Sequence, residues 1–178
     1  MMENPRSQTK IAMQYGGYYG LSSAVVFLLF YFMGTDIQSR IPQWVGYVLL
    51  VIFIVIGIKS YRDQELGGFI SYGKSLGTGV LISVFGGIIT GAFTVLFFTV
   101  IAPEMLEIIL AASQEKMLEQ GMDEQSMAMA EEYTRKFMTP TWLFLFSILG
   151  SAFMGLLFSL IISVFLKKEQ TPFQSNIG

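Results

Sequence analysis

The densest set of reactive polar groups lies between Lys59 and Lys74, in the run Lys-Ser-Tyr-Arg-Asp-Gln-Glu-Leu-Gly-Gly-Phe-Ile-Ser-Tyr-Gly-Lys. Lys59, Arg62 and Lys74 stand among Tyr61, Phe69 and Tyr72, with Gly67 and Gly68 between them. Cations at headgroup level can hold the phosphate of a lipid headgroup or lipid carrier through charge-assisted hydrogen bonds. The plainer reading is anchoring, because lysine, arginine and aromatic rings collect at a membrane boundary without binding anything specific. Any loop of this kind carries such cations, so anchoring is the preferred reading.

A second set is acidic. Residues 104–139 hold eight of the 13 carboxylates. Glu104 with Glu107, or Glu131 with Glu132, offers oxygens to a divalent cation, but calcium-type ligand spacing is missing. A solvated acidic face is the simpler account. Met105, Met117, Met122, Met127 and Met129 in the same segment would suit a partner surface, since methionine adapts to irregular contours.

Several chemistries are excluded by what the chain lacks. It has no cysteine and no histidine, hence no thiol nucleophile, no imidazole base and no common zinc ligand set. Walker, GxSxG and GxGxxG patterns are missing, and Gly77-Thr-Gly79 lies in an apolar run unsuited to cradling phosphate. No catalytic residue, cofactor or metal is therefore expected, and no enzyme. The net charge of −2 is too small to suggest nucleic acid as a partner.

The elements that carry these groups belong to a membrane. Apolar residues make up 53% of 178 and charged residues 13%, against roughly 25% charged in a soluble domain. A water-soluble chain of this length could not hide so much apolar surface. About 20 apolar residues cross a bilayer, and four stretches qualify. The first spans about 11–33, the second about 41–61, the third about 75–102 and the fourth about 140–166. The first is too long for a signal-peptide core and reads as retained. Lys59 near the end of the second can send its ammonium back to the headgroups. No Asp, Glu, Lys or Arg lies within the core of any span, which argues against a proton-coupled carrier but leaves open a sodium site of hydroxyls and carbonyls.

Between the third and fourth spans, about 103–139, the sequence predicts two short helices, from about Pro103 to Gln120 and from Met122 or Asp123 to Phe137, with Gly121 as the stop. They form either a hairpin or extensions of the flanking spans. Thr139–Pro140 is an N-cap and first-position pair for the last span. The tail after Lys168 is expected to be loose. The fold class is thus all-α, a bundle of four transmembrane helices with an extracytoplasmic helical hairpin between helices 3 and 4.

Orientation follows from the cations. Arg6, Lys10, Lys59, Arg62, Lys74, Lys167 and Lys168 fall on one side, seven of the 11, and Arg40, Lys116, Arg135 and Lys136 on the other. The second side also holds Asp36 and the acidic hairpin. Both termini are therefore expected in the cytoplasm, in a multi-pass protein of the bacterial inner membrane.

Lipid tails are as apolar as leucine, so spans associate through small residues spaced by four. Such stripes run through Gly79, Ser83, Gly87 and Gly91 in the third span and through Ser147, Ser151, Gly155, Ser159 and Ser163 in the fourth. Gly16, Gly20 and Ala24 make another in the first. Four-residue steps drift only slowly around a helix. Tight packing with serines bonded to their own carbonyls is preferred to a hydroxyl-lined pore. The second span lacks a stripe and is expected at the periphery.

Gly57-Ile-Lys-Ser-Tyr-Arg62-Asp followed by Gly68-Phe-Ile-Ser-Tyr-Gly-Lys74 and a glycine-rich span, with Glu119-Gln-Gly-Met122, Phe137-Met-Thr-Pro140 and the end from Gly155 to Lys168, resembles the family known as domain of unknown function 4199. The resemblance covers nearly the whole chain. It implies a bacterial inner-membrane protein, mostly of the Bacteroidetes group, with four spans and no assigned activity. The residues then favour a non-catalytic scaffold or accessory subunit for an envelope or lipid-carrier process. Its expected contacts are the lipid bilayer and a membrane-protein partner or a second copy of itself. The alternative is a small channel or transporter, acting singly or as a homo-oligomer.

Overall fold

A computed structural model describes residues 7–35 and 39–169. Arg6, Asp36 and the tail beyond Glu169, all used in the sequence reading, lie outside the described residues. The protein is all-α. Its helices are α1 (Gln8–Phe32), α2 (Ile41–Ser60), α3 (Tyr72–Leu96), α4 (Met105–Glu119), α5 (Glu124–Phe137) and α6 (Pro140–Leu166). Single π-helical turns extend α2 through Tyr61–Glu65 and α3 through Phe97–Ile101. Four of these helices, α1, α2, α3 and α6, are long and apolar enough to cross a membrane.

Caps set the ends of the helices, and lipid sets where apolar residues begin, so the two differ by about a turn. Ser7 caps α1 and Ser71 caps α3, each accepting from the backbone N–H three residues on. Helix therefore begins at Gln8 and Tyr72, before the charge-free runs at Ile11 and Ser75. Thr139 precedes Pro140 at the start of α6. Gly121, at φ 74°, ends α4 in a left-handed conformation that glycine adopts without strain.

α3 is the centre of the bundle, packed on α1 and on α6, while α2 touches all three. α2 stands beside the two main seams, as its lack of a small-residue stripe predicts, yet it drives Leu50, Ile54 and Ile58 into the interior, each essentially inaccessible. These residues are also spaced by four, so α2 packs by a ridge of large side chains where its neighbours use small ones. The core they form with Ile11, Ala12, Tyr61, Ile70 and Ile82 sits in the half of the bundle nearest the α2–α3 loop.

That loop is tied to the end of α6. Ile70 and Lys168 exchange both backbone hydrogen bonds at 2.9 Å. Gln8 on α1 reaches Thr78 Oγ1 at 3.1 Å on the same side.

At the opposite end, α4 and α5 form a hairpin held by polar contacts. The Arg135 guanidinium donates to both Glu107 carboxylate oxygens at 2.9 and 3.0 Å and to Glu131 at 3.0 Å, and Gln114 donates to Glu131. Arg135 holds the Glu107 carboxyl below its ordinary range. Backbone and hydroxyl hydrogen bonds from Ser126 do the same for Asp123, the α5 N-cap. A carboxyl depressed on folding stabilises the fold above its unfolded pKa and loses that contribution as pH falls through the folded one. Amide exchange in detergent should therefore show α4 and α5 protected at neutral pH and opening at pH below the ordinary carboxylate range. Protection unchanged in strong acid would contradict the ion-pair account.

Candidate functional site

Candidate sites lie at the loop-side cations, along the small-residue seams and in a cleft at the hairpin side. Lys59, Arg62 and Lys168 all act on Asp63, whose carboxyl the Arg62 hydrogen bonds chiefly hold below its ordinary range. Arg62 is committed to its neighbour Asp63, with Nε–Oδ1 at 2.7 Å and Nη2–Oδ2 at 3.0 Å, and its Nη1 reaches the Leu166 carbonyl oxygen at 3.3 Å. The guanidinium thus fastens the π-turn after α2 to the end of α6. Lys59 is exposed on the last turn of α2. Lys74 instead shares a shallow recess of about 310 Å³ with Ser71, Lys168 and Glu169. Lys168 also stands 5.4 Å over the Phe69 ring, a cation–π contact. The sequence reading placed Lys168 on this side without assigning it a contact, since its position depends on how α6 returns to the loop.

The two stripes of α3 and α6 face each other. A methyl group on Gly79 would run into Ser159, and one on Gly155 into the Ser83 side chain. At Gly87 it would lie 2.9 Å from Ser151 Cβ and 3.0 Å from Ile148 Cα, and at Gly91 3.2 Å from Ser147 Cβ. The helices touch at backbone distance along the whole seam. Ser83 and Ser147 donate to carbonyls one turn back at 2.9 and 2.8 Å, whereas Ser151 donates across the seam to the Ser83 carbonyl at 2.8 Å. Ser159 and Ser163 are fully buried with no protein partner for their hydroxyls. Closeness of the backbones, with the dispersion contacts it brings, therefore holds this seam more than side-chain hydrogen bonds do.

α1 meets α3 in the same way, on an adjoining face. A methyl on Gly16 would lie 2.6 Å from the Ile82 carbonyl oxygen and 2.7 Å from Phe85 Cβ, and one on Gly20 2.6 Å from Ile89 Cβ.

Toward the hairpin side, α1, α2 and α3 part, and a cleft of about 270 Å³ opens between them. Ala24 and Gly46 are the small residues that leave the space, and Phe27, Phe93, Phe97 and Phe98 supply much of the wall. The π-turn after α3 contributes directly: it brings the consecutive residues Phe97 and Phe98 onto the same cleft. Phe97 is buried and meets Phe27 and Tyr31 edge-on at 4.9 and 5.1 Å between ring centroids. The cleft adjoins a second, of about 440 Å³, that shares Phe27, Phe30, Pro42, Phe97 and Phe98 and ends at Thr35, Ser39 and Gln43. No spacing in the sequence marks this cleft, because it depends on how far two helices diverge.

Among the described residues, no three His, Cys, Asp or Glu side chains are grouped to hold a metal ion. Residues 14–168 match the model of a family described as protein of unknown function, DUF4199. No curated protein matches, and no solved structure does.

Proposed function

From the premise that the chain belongs to the DUF4199 family of proteins of unknown function, we propose that this multi-pass membrane protein is a non-catalytic scaffold or accessory subunit of an envelope or lipid-carrier process in the bacterial inner membrane. One observation carries the reading. The glycine and serine stripes of the spans are consumed in packing α3 against α6 and α1, which leaves none of them to line a passage. The spans between Ile11 and Phe32, Ile41 and Ile58, Ser75 and Ile101, and Pro140 and Leu166 hold no Asp, Glu, Lys or Arg. Proton-driven transport and acid–base catalysis both call for such groups.

What remains for function is the two ends. With the termini cytoplasmic, the orientation that the bias of cations favours, Lys59 and Lys74 face the inner headgroups, and the α4–α5 hairpin faces outward. The hairpin exposes Met122, Met129 and Tyr133, groups suited to a protein partner. A channel has less support, since a passage along the α3–α6 seam would require the helices to separate.

Crosslinking in native membranes, followed by mild detergent extraction, tests the reading. A specific membrane-protein partner should co-purify and should be lost when Met129 and Tyr133 are changed to glutamate. A chain that comes out of the membrane alone would refute the accessory role.

A further inference from the structure

We propose that the cleft between α1, α2 and α3 is a binding site for one acyl chain of a phospholipid from the leaflet on the hairpin side. The four apolar helices place this part of the chain in lipid. The cleft is open to the surface that lipid covers, since Phe27 both lines it and is exposed. Water is a poor occupant, because the phenylalanine walls offer it few hydrogen-bond partners. Of the four hydroxyl side chains that line it, Tyr19, Ser23, Thr90 and Thr94, the two threonines are already donated to carbonyls of α3 at distances of 2.8–3.2 Å, and the buried Ser23 hydroxyl is left as a single unpartnered group in an otherwise apolar wall.

Polarity changes along the length of the two adjoining cavities as it does along a phospholipid. The inner one is walled mainly by phenylalanine and aliphatic groups. The outer one adds Thr35, Ser39 and Gln43, neutral hydroxyl and amide groups suited to ester oxygens, beside Met105 and Ile109 of α4, and the Gln43 amide also donates to the Tyr47 hydroxyl at 2.9 Å. Trp44, 64% exposed, sits beside that mouth on α2, where tryptophan marks the level of the headgroups. A chain entering here lies with its tail toward the middle of the bundle and its ester region at Ser39. The π-turn that turns both Phe97 and Phe98 onto this space is the kind of helix defect that recurs at functional sites.

Gly46 provides the test. It lines the cleft, and a Cβ there would meet nothing within 4 Å, as is also true of Gly150 on α6, outside the cleft. Native mass spectrometry of the full chain, extracted from its own membranes in mild detergent, should show a phospholipid adduct in the wild type. Gly46→Phe should abolish the adduct and Gly150→Phe should keep it. Ala24→Leu fills the same space from the opposite wall and should also abolish it, which guards against misfolding of one variant. A wild type free of lipid would overturn the proposal. So would a polyprenyl carrier in place of phospholipid, an adduct that survives both filling variants, or equal loss from Gly46→Phe and Gly150→Phe.

Discussion

Gly16→Ala is expected to destabilise the bundle, while Gly150→Ala, the same substitution on the same kind of helix, is expected to stabilise it. The added methyl at Gly16 would lie 2.6 Å from a backbone oxygen of α3 and 3.0 Å from the Gly86 backbone nitrogen. Neither atom can rotate away, so α1 must shift as a whole. Overpacking of this sort costs about 1–3 kcal/mol, more than the roughly 0.5–1 kcal/mol that alanine gains over glycine within a helix. At Gly150 nothing lies within 4 Å of the new Cβ, and the gain stands alone. Thermal unfolding of both variants in the same detergent decides the matter. Equal midpoints would mean that α1 is not seated on α3 at backbone distance.

The second large effect is a coupling. Gly155→Ala forces a methyl onto the Ser83 side chain, and alone it should lower stability by about 1–3 kcal/mol. Ser83→Gly removes the obstacle. It also removes the hydroxyl bond to the Gly79 carbonyl and adds a glycine to a helix, a cost of roughly 0.5–1 kcal/mol. The bond that Ser151 makes to the Ser83 carbonyl does not involve the lost side chain. The double variant should therefore be more stable than the sum of the two losses, by a coupling within the range of about 0.5–3 kcal/mol seen for residues in contact. Strict additivity would show that α3 and α6 do not meet at this pair. The same outcome would remove the main support for the closed seam, and with it the argument against a passage.

Much of the architecture can be read from the chain, because lipid imposes simple rules. Charge-free runs locate the four spanning helices, and Asp123, Thr139–Pro140 and Gly121 punctuate the hairpin and the start of α6. Small residues spaced by four are visible on α1, α3 and α6. Other features follow from relative placement and leave little trace in a linear pattern. The Leu50, Ile54 and Ile58 ridge of α2 has the same spacing, but in an apolar span large residues occur on every face, so the buried ones do not stand out. Arg62 reads as a free cation until the end of α6 is seen to return beside it. The π-turns carry no composition of their own, and the cleft that the one after α3 helps to line depends on how α1, α2 and α3 are placed around it.

The central position of α3 constrains how the protein is made. Both principal seams belong to it, yet it leaves the ribosome third. α1 and α2 must enter the bilayer as a pair whose glycine face still lacks its counterpart, and α6 can find its place only after the whole hairpin has been synthesised. During that interval Gly79, Ser83, Gly87 and Gly91 of α3, destined for the α3–α6 interface, face hydrocarbon or a chaperone. Slowing translation just before α6 would lengthen the life of a three-helix intermediate, which makes it the natural point of attack for membrane proteases.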